Sequence, residues 1–158
     1  MAMAKRKDIL NFKVKFSSMV EKNNNSNLLK NIIKYIDKNK CCYETNCKHP
    51  SKQSNEMLHK AFPFLEEAVT KELNLKIKQM WCFYAKKNQK VEATWHSHPT
   101  KISAVLYLTD SNLCTIFNQC AINLRKNTWL LFNGKEMHTT QEGITNSDRL
   151  IIATDLCK

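Results

Sequence analysis

What this 158-residue chain lacks narrows its possible roles before any motif is considered. It has no apolar run near the roughly 20 residues that a membrane-spanning helix requires. The opening Met1–Lys7 is charged and carries no apolar segment of the kind a secretory signal needs, so a soluble, cytoplasmic protein is expected. Paired cysteines or histidines at zinc-finger spacing are missing. Cys41, Cys42, Cys47 and His49 make half of such a site with no second half, and read as a loop with reduced thiols. Seven cysteines, an odd number and mostly scattered, argue against a disulfide framework and for a reducing compartment. Arginine is scarce, and the net charge of +11 comes largely from dispersed lysines. No aromatic-interleaved basic strand gives strong support to nucleic-acid binding. The charge therefore reads first as a solvated surface, with a nucleic acid or another anionic partner as the sharper alternative. Internal repeats are absent, and the only biased segment is the asparagine-rich break at 22–27.

Apolar residues make up 42% of the chain, enough for one folded domain over 1–158. Phe12, Val14 and Phe16 alternate with lysines, which predicts a short strand within 9–20. After the polar break, Ser26 or Asn27 is placed to cap a helix over 28–38, whose Leu28, Leu29, Ile32, Ile33 and Ile36 follow helical spacing. A second helix is expected over 55–73, kinked at Pro63, with Phe62, Leu65, Val69 and Leu73 inward; His59 is an ordinary residue of it. From there the pattern changes. Leu75–Tyr84 reads as a strand buried on both faces, residues 86–90 as a turn, and 91–96 as the returning strand. Strands follow over 102–109, 114–117, 120–124, 129–132, 138–141 and 149–155, with turns at Asn133-Gly134 and Glu142-Gly143. Helices first and short strands afterwards predict an α+β, mainly β protein. Residues 1–74 would be a helical support packed on one outer face, and 75–158 a β-sandwich or jelly-roll-type barrel.

The chemistry concentrates at Trp95-His96-Ser97-His98-Pro99. Residues two apart on an extended chain face the same way, so His96 and His98 can present both imidazoles to one ion. His138, at the start of a late strand, is the third candidate. Three imidazoles, or two with a carboxylate, suit iron, copper or zinc and leave positions open. Glu92, Asp110 or a water are the alternatives for the third position. Arg149 lies on the next strand. Buried there, its planar fork would need a carboxylate, which a small acidic cosubstrate could bring; on the surface it would pair with Asp148 or Glu142. Trp95 and Trp129 read as core or rim residues, with Trp95 a candidate for lining a substrate entrance. Cys114 and Cys120 read as core fillers.

These residues carry a resemblance. The run from Tyr84 through Gln89 to His96-Ser97-His98, and on through Ile102-Ser103-Ala104-Val105-Leu106-Tyr107-Leu108, is similar to the iron(II)- and 2-oxoglutarate-dependent oxygenases. It most resembles their prolyl-hydroxylase-like branch and compact phage and bacterial members. Leu130-Leu131-Phe132-Asn133-Gly134, His138, Gly143 and Arg149-Leu150-Ile151 resemble the family's last barrel turn. The resemblance covers roughly 75–156. It implies a double-stranded β-helix of cupin-like, jelly-roll type. It also implies Fe(II) held by His96 and His138, Arg149 on the far carboxylate of 2-oxoglutarate, and Tyr107 and Tyr84 helping to hold that cosubstrate. The activity implied is a dioxygenase that consumes O2, converts 2-oxoglutarate to succinate and hydroxylates a substrate, a protein side chain such as proline being the first expectation. Where the family carries Asp or Glu, this chain has His98, which keeps the ligand count at three but removes one negative charge. Two rivals stand beside this reading: a cupin-like three-histidine dioxygenase that uses no 2-oxoglutarate, and a non-catalytic basic module that binds nucleic acid.

Overall fold

The computed structural model describes residues 12–40, 52–118 and 120–158; the Cys41, Cys42, Cys47 and His49 loop lies outside them. Elements run in the order β1 (Lys13–Phe16), α1 (Ser18–Asn23), α2 (Ser26–Lys38), β2 (Lys52–Gln53), α3 (Leu58–Ala61), α4 (Pro63–Ala68) and a π-helical turn (Val69–Leu73). The strands β3 (Lys76–Ala85), β4 (Lys90–Val91), β5 (Ile102–Tyr107), β6 (Thr115–Phe117), β7 (Ala121–Ile122) and β8 (Thr128–Phe132) follow. The chain closes with β9 (His138–Thr140), β10 (Gly143–Ile144) and β11 (Arg149–Cys157). This is the expected order, helices first and a mainly β remainder. A six-stranded sheet is ordered β1-β8-β5-β11-β3-β2, beside a three-stranded sheet β7-β6-β9 and a ribbon β10-β4. Every strand pairing in them is antiparallel. Among the described residues no helix is long and apolar enough to cross a membrane.

The large sheet is sided by strand periodicity. Leu150 and Ile152 of β11, Met80 and Cys82 of β3, Ala104 and Leu106 of β5, and Trp129 of β8 pack with Leu28, Ile32, Ile36 and Leu65 of the helices. Their neighbours one residue away face the opposite side: Ile151 joins Val105, Tyr107, Leu130 and Phe132, with Phe117 of the three-stranded sheet lying over them. Nearly every residue of β11 is buried because both faces of this central strand are covered, which explains its almost unbroken apolar run.

Local chemistry sets the boundaries. The first strand stops at Phe16, short of the expected 20, because Ser17 accepts a hydrogen bond from the Val20 amide and starts α1. The second helix begins at Ser26, capped by Asn25 rather than by Ser26 or Asn27. Pro63 divides the third helical stretch into α3 and α4, as its missing amide requires. With only two glycines in the chain, asparagine takes left-handed positions: Asn74, Asn88 and Asn127 have φ of 54°, 64° and 69°. One pairing expectation is corrected. Residues 91–96 do not return alongside β3, whose two edges hold β11 and β2; instead Lys90–Val91 pairs with Gly143–Ile144, a segment expected to be a turn.

Candidate metal centre

His96 and His138 meet through their main chains before their rings are considered. Each donates its amide to the other's carbonyl, at 3.0 and 2.9 Å, which makes an isolated antiparallel bridge. On its other side His138 pairs with Phe117 of β6. His98 is fixed by its amide, which donates to the Gly134 carbonyl at 2.6 Å. The three rings cluster, with centroids 4.3 Å apart for His96–His138, 4.9 Å for His98–His138 and 5.2 Å for His96–His98. Trp81, Phe117 and Phe132 wall them in, centred 5.5 Å from His98 and 5.7 and 4.8 Å from His138. His138 is buried and His96 is the most open of the three.

The tautomers follow from the partners. Nδ1 of His96 faces the Thr94 carbonyl at 2.7 Å, and Nδ1 of His138 faces the Glu136 carbonyl at 2.9 Å. Nδ1 of His98 lies 3.1 Å from the Asp155 carboxylate. All three are acceptors, so each Nδ1 carries a proton, and each ring in its neutral form presents a lone pair at Nε2. Nε2 of His98 and Nε2 of His138 then stand 3.1 Å apart. Two lone pairs at that distance repel unless a cation or proton lies between them. Two imidazole nitrogens each about 2.1 Å from one ion, at a near-right angle, are about 3 Å apart. One ligand atom from each histidine lies within 4.8 Å of the others. This donor set fits a divalent transition metal held on one face, with the opposite positions open.

In the metal-free protein the same crowding governs protonation. Burial pushes His138 down to about 4, against the raising effect of the Glu136 carbonyl and with further lowering from the neighbouring imidazoles; burial also lowers His96. Between about pH 6.5 and pH 4 the unfolded chain therefore binds more protons at residue 138 than the folded one. Stability of the metal-free protein falls as pH drops through that window and levels off below it. Chemical unfolding in chelator from pH 7 to pH 4, wild type against His138→Gln, isolates this slope; identical slopes would contradict it.

One functional residue escaped the sequence. Asp155 is fully buried, accepting from Gln79 Nε2 at 2.5 Å and Ser103 Oγ at 2.9 Å as well as facing His98. Burial raises its pKa, but the hydrogen bonds from His98, Gln79 and Ser103 outweigh this and hold it below the ordinary carboxylate value. Ser103 and Gln79 are its two cross-strand neighbours, so the sheet register builds this cradle. Glu92 and Asp110 do not enter the histidine cluster; Asp110 accepts from the Lys126 amide.

Gly134 also belongs to the site. A Cβ there would stand 2.3 Å from the Thr100 carbonyl oxygen, 2.6 Å from Ser103 Oγ and 3.3 Å from His98 Cβ. Gly134→Ala is expected to cost about 1–3 kcal/mol of stability through overpacking. It should also weaken metal binding by displacing both His98 and the serine behind it. Denaturant unfolding and Co(II) titration read the two effects, and an unchanged variant would refute the close approach.

Arg149 is 3% exposed, and its Nε and Nη2 have no hydrogen-bond partner among the described residues. Asp148, the surface partner considered for it, accepts from the Lys87 amide. Burial lowers the guanidinium's pKa, while Tyr107 raises it. Tyr107 is fully buried, its hydroxyl 2.5 Å from Thr115 Oγ1; burial raises its pKa, and the Thr115 hydrogen bond and the charge on Arg149 lower it. Tyr84 lies apart from this group. It pairs with Leu150 and packs against the helix-side core, the placement expected of a core tyrosine. Trp95 is 47% exposed next to His96, and Trp129 is core. A lysine-rich groove, with Lys13, Lys15, Lys76, Lys101 and Lys158 on its walls, includes none of the three histidines.

No family model matches the sequence, and no curated protein matches it. Solved structures do match by shape. The non-heme alpha-ketoglutarate-dependent epimerase SnoN of nogalamycin biosynthesis superposes at TM-score 0.68 with 10% identity, covering 100% of this chain and 82% of its own. The viral collagen prolyl hydroxylase of Paramecium bursaria Chlorella virus-1, solved with 2-oxoglutarate, gives 0.60 and 14%, covering 93% and 95%. HygX of Streptomyces hygroscopicus, solved with nickel and 2-oxoglutarate, gives 0.61 and 13%, covering 96% and 86%. At these identities the shared property is the fold. The likeness to iron- and 2-oxoglutarate-dependent oxygenases read from the sequence is borne out at that level.

Proposed function

We propose that the protein is an Fe(II)- and 2-oxoglutarate-dependent dioxygenase on a double-stranded β-helix that hydroxylates its substrate. The observation that carries the metal is the convergence of His98 Nε2 and His138 Nε2 at 3.1 Å with every Nδ1 already committed to an oxygen. The observation that carries the cosubstrate is the buried guanidinium of Arg149, with two nitrogens unpartnered among the described residues. A buried charge without a partner is costly, and a carboxylate matched to its fork removes that cost.

In this reading, iron bound by His96, His98 and His138 supplies the activation of O2 coupled to oxidation of 2-oxoglutarate to succinate and CO2. The chain's residues do the rest. The backbone bridge between His96 and His138 holds two rings in register. Arg149 takes the far carboxylate, with the Tyr107 hydroxyl beside it. A common ruler supports this: β6 carries Thr115, which bonds Tyr107, and two residues later Phe117, which pairs with His138. Two residues of strand measure about 7 Å, and residues two apart face the same side of β6. Trp81, Phe117 and Phe132 keep water from the buried side of the site, and Trp95 stands exposed at its mouth, where substrate enters. A protein side chain is the substrate class we favour, because the viral collagen prolyl hydroxylase is among the neighbours of similar shape.

The all-imidazole donor set favours one other reading, a three-histidine dioxygenase that needs no 2-oxoglutarate. Anaerobic Fe(II) titration with and without 2-oxoglutarate separates the two. The oxygenase reading expects a weak visible charge-transfer band only when both are present. Iron uptake without that band supports the rival, and no iron uptake removes both.

A further inference from the structure

We infer that Asp155 is a positioning residue for the metal, supplying from behind His98 the negative charge that a metal-bound carboxylate would otherwise bring. This rests on the metal reading proposed above.

The argument begins with charge. A divalent ion on two neutral imidazoles and one carboxylate carries a total of 2 − 1 = +1. On three imidazoles it would carry +2, which raises the cost of burying it beside Trp81, Phe117 and Phe132. Asp155 returns the total to 2 − 1 = +1 without touching the ion. Its Oδ1 is 3.1 Å from His98 Nδ1, on the ring whose Nε2 faces His138. A carboxylate accepting from the far nitrogen of a metal-bound imidazole makes that ring a better donor and locks its orientation.

Placement supports this. Residues 149, 151, 153 and 155 alternate onto the site face of β11, and the only two charged residues of that strand, Arg149 and Asp155, both lie on that face. Two further lone pairs of Asp155 are taken by its cross-strand neighbours Gln79 and Ser103. Those donors leave the His98 side as the carboxylate's functional contact. A buried aspartate kept only for folding needs no partner on a ring whose other nitrogen faces the His138 Nε2.

Asp155→Asn keeps the shape and an acceptor oxygen but removes the charge. Metal affinity of wild type and variant is measured with Co(II) against a chelator, followed by 2-oxoglutarate affinity at saturating Co(II). The expected result is a 10–100-fold loss of Co(II) affinity with 2-oxoglutarate binding undiminished, since a more positive site does not repel a dianion. Loss of stability in chelator with unchanged Co(II) affinity, or equal weakening of both ligands, overturns the inference and leaves Asp155 structural. Wild type that takes no Co(II) overturns the metal reading itself, a distinct outcome. A second measurement needs no variant: 15N spectra of the Zn(II)-loaded wild type. His98 should show a protonated, hydrogen-bonded Nδ1 and a metal-bound Nε2; metal on Nδ1 overturns the inference.

Discussion

Exchange of Arg149 for methionine is expected to raise the melting temperature of the chelator-treated protein while abolishing its response to 2-oxoglutarate. The two effects have one cause. In the absence of an anion, the fold holds a guanidinium that is 3% exposed with Nε and Nη2 unpartnered among the described residues. Replacing buried charged groups by apolar side chains of similar volume is often stabilising, by about 1–4 kcal/mol. In a chain of this length that is a rise of several degrees. Wild type loaded with iron should instead gain stability from 2-oxoglutarate by mass action, about 2.7 kcal/mol at a hundredfold excess over Kd, and the variant should gain none. Differential scanning fluorimetry across a 2-oxoglutarate series reads both signs. A variant less stable in chelator, or one still stabilised by 2-oxoglutarate, would assign Arg149 a structural role.

Removing the His138 ring should have the other large effect. His138→Ala is expected to bring anaerobic Fe(II) binding down to the level of a non-specific surface. The loss should exceed the 10–100-fold that follows removal of a partner behind a ligand, because a ligand itself is gone. The fold should survive, since the bridge to His96 and the pairing with Phe117 run through main-chain atoms. Loss of a buried ring from among Phe117 and Phe132 leaves a cavity, so some loss of stability is also expected. Calorimetric Fe(II) titration alongside far-UV circular dichroism distinguishes a folded protein without metal from an unfolded one. Retained tight binding would remove His138 from the centre and the proposed mechanism with it.

The behaviour of individual residues shows why some of the site was legible. His96 and His98 were readable because two-residue spacing needs only an extended backbone, which the bridge to His138 supplies. Arg149 was readable because it opens a strand whose next four residues, Leu150 to Ala153, are apolar, where a charge demands a partner. Tyr107 and Tyr84 each lie near the end of a largely apolar strand. They part because Tyr107 pairs with Ile151 and Tyr84 with Leu150, neighbours that face opposite sides of β11. Where both faces of a strand are buried, alternation carries no signal, and register alone decides. Asp155 was hidden for a related reason. Its importance comes from Gln79 and Ser103, distant in sequence, and from the His98 ring above it. The return strand expected after β3 failed because local turn chemistry at 86–90 does not reveal that both edges of β3 are already taken.

By itself, then, the sequence determined the order of helices and strands, the apolar spine of β11 and the short list of rings that could hold a metal. These depend on periodicity and side-chain chemistry, which act locally along the chain. Only tertiary structure decided that Tyr107 and Tyr84 face opposite sides of β11, which carboxylate stands behind His98, and that Arg149 is buried with Nε and Nη2 unpartnered among the described residues, because each depends on strand pairing between residues dozens of positions apart.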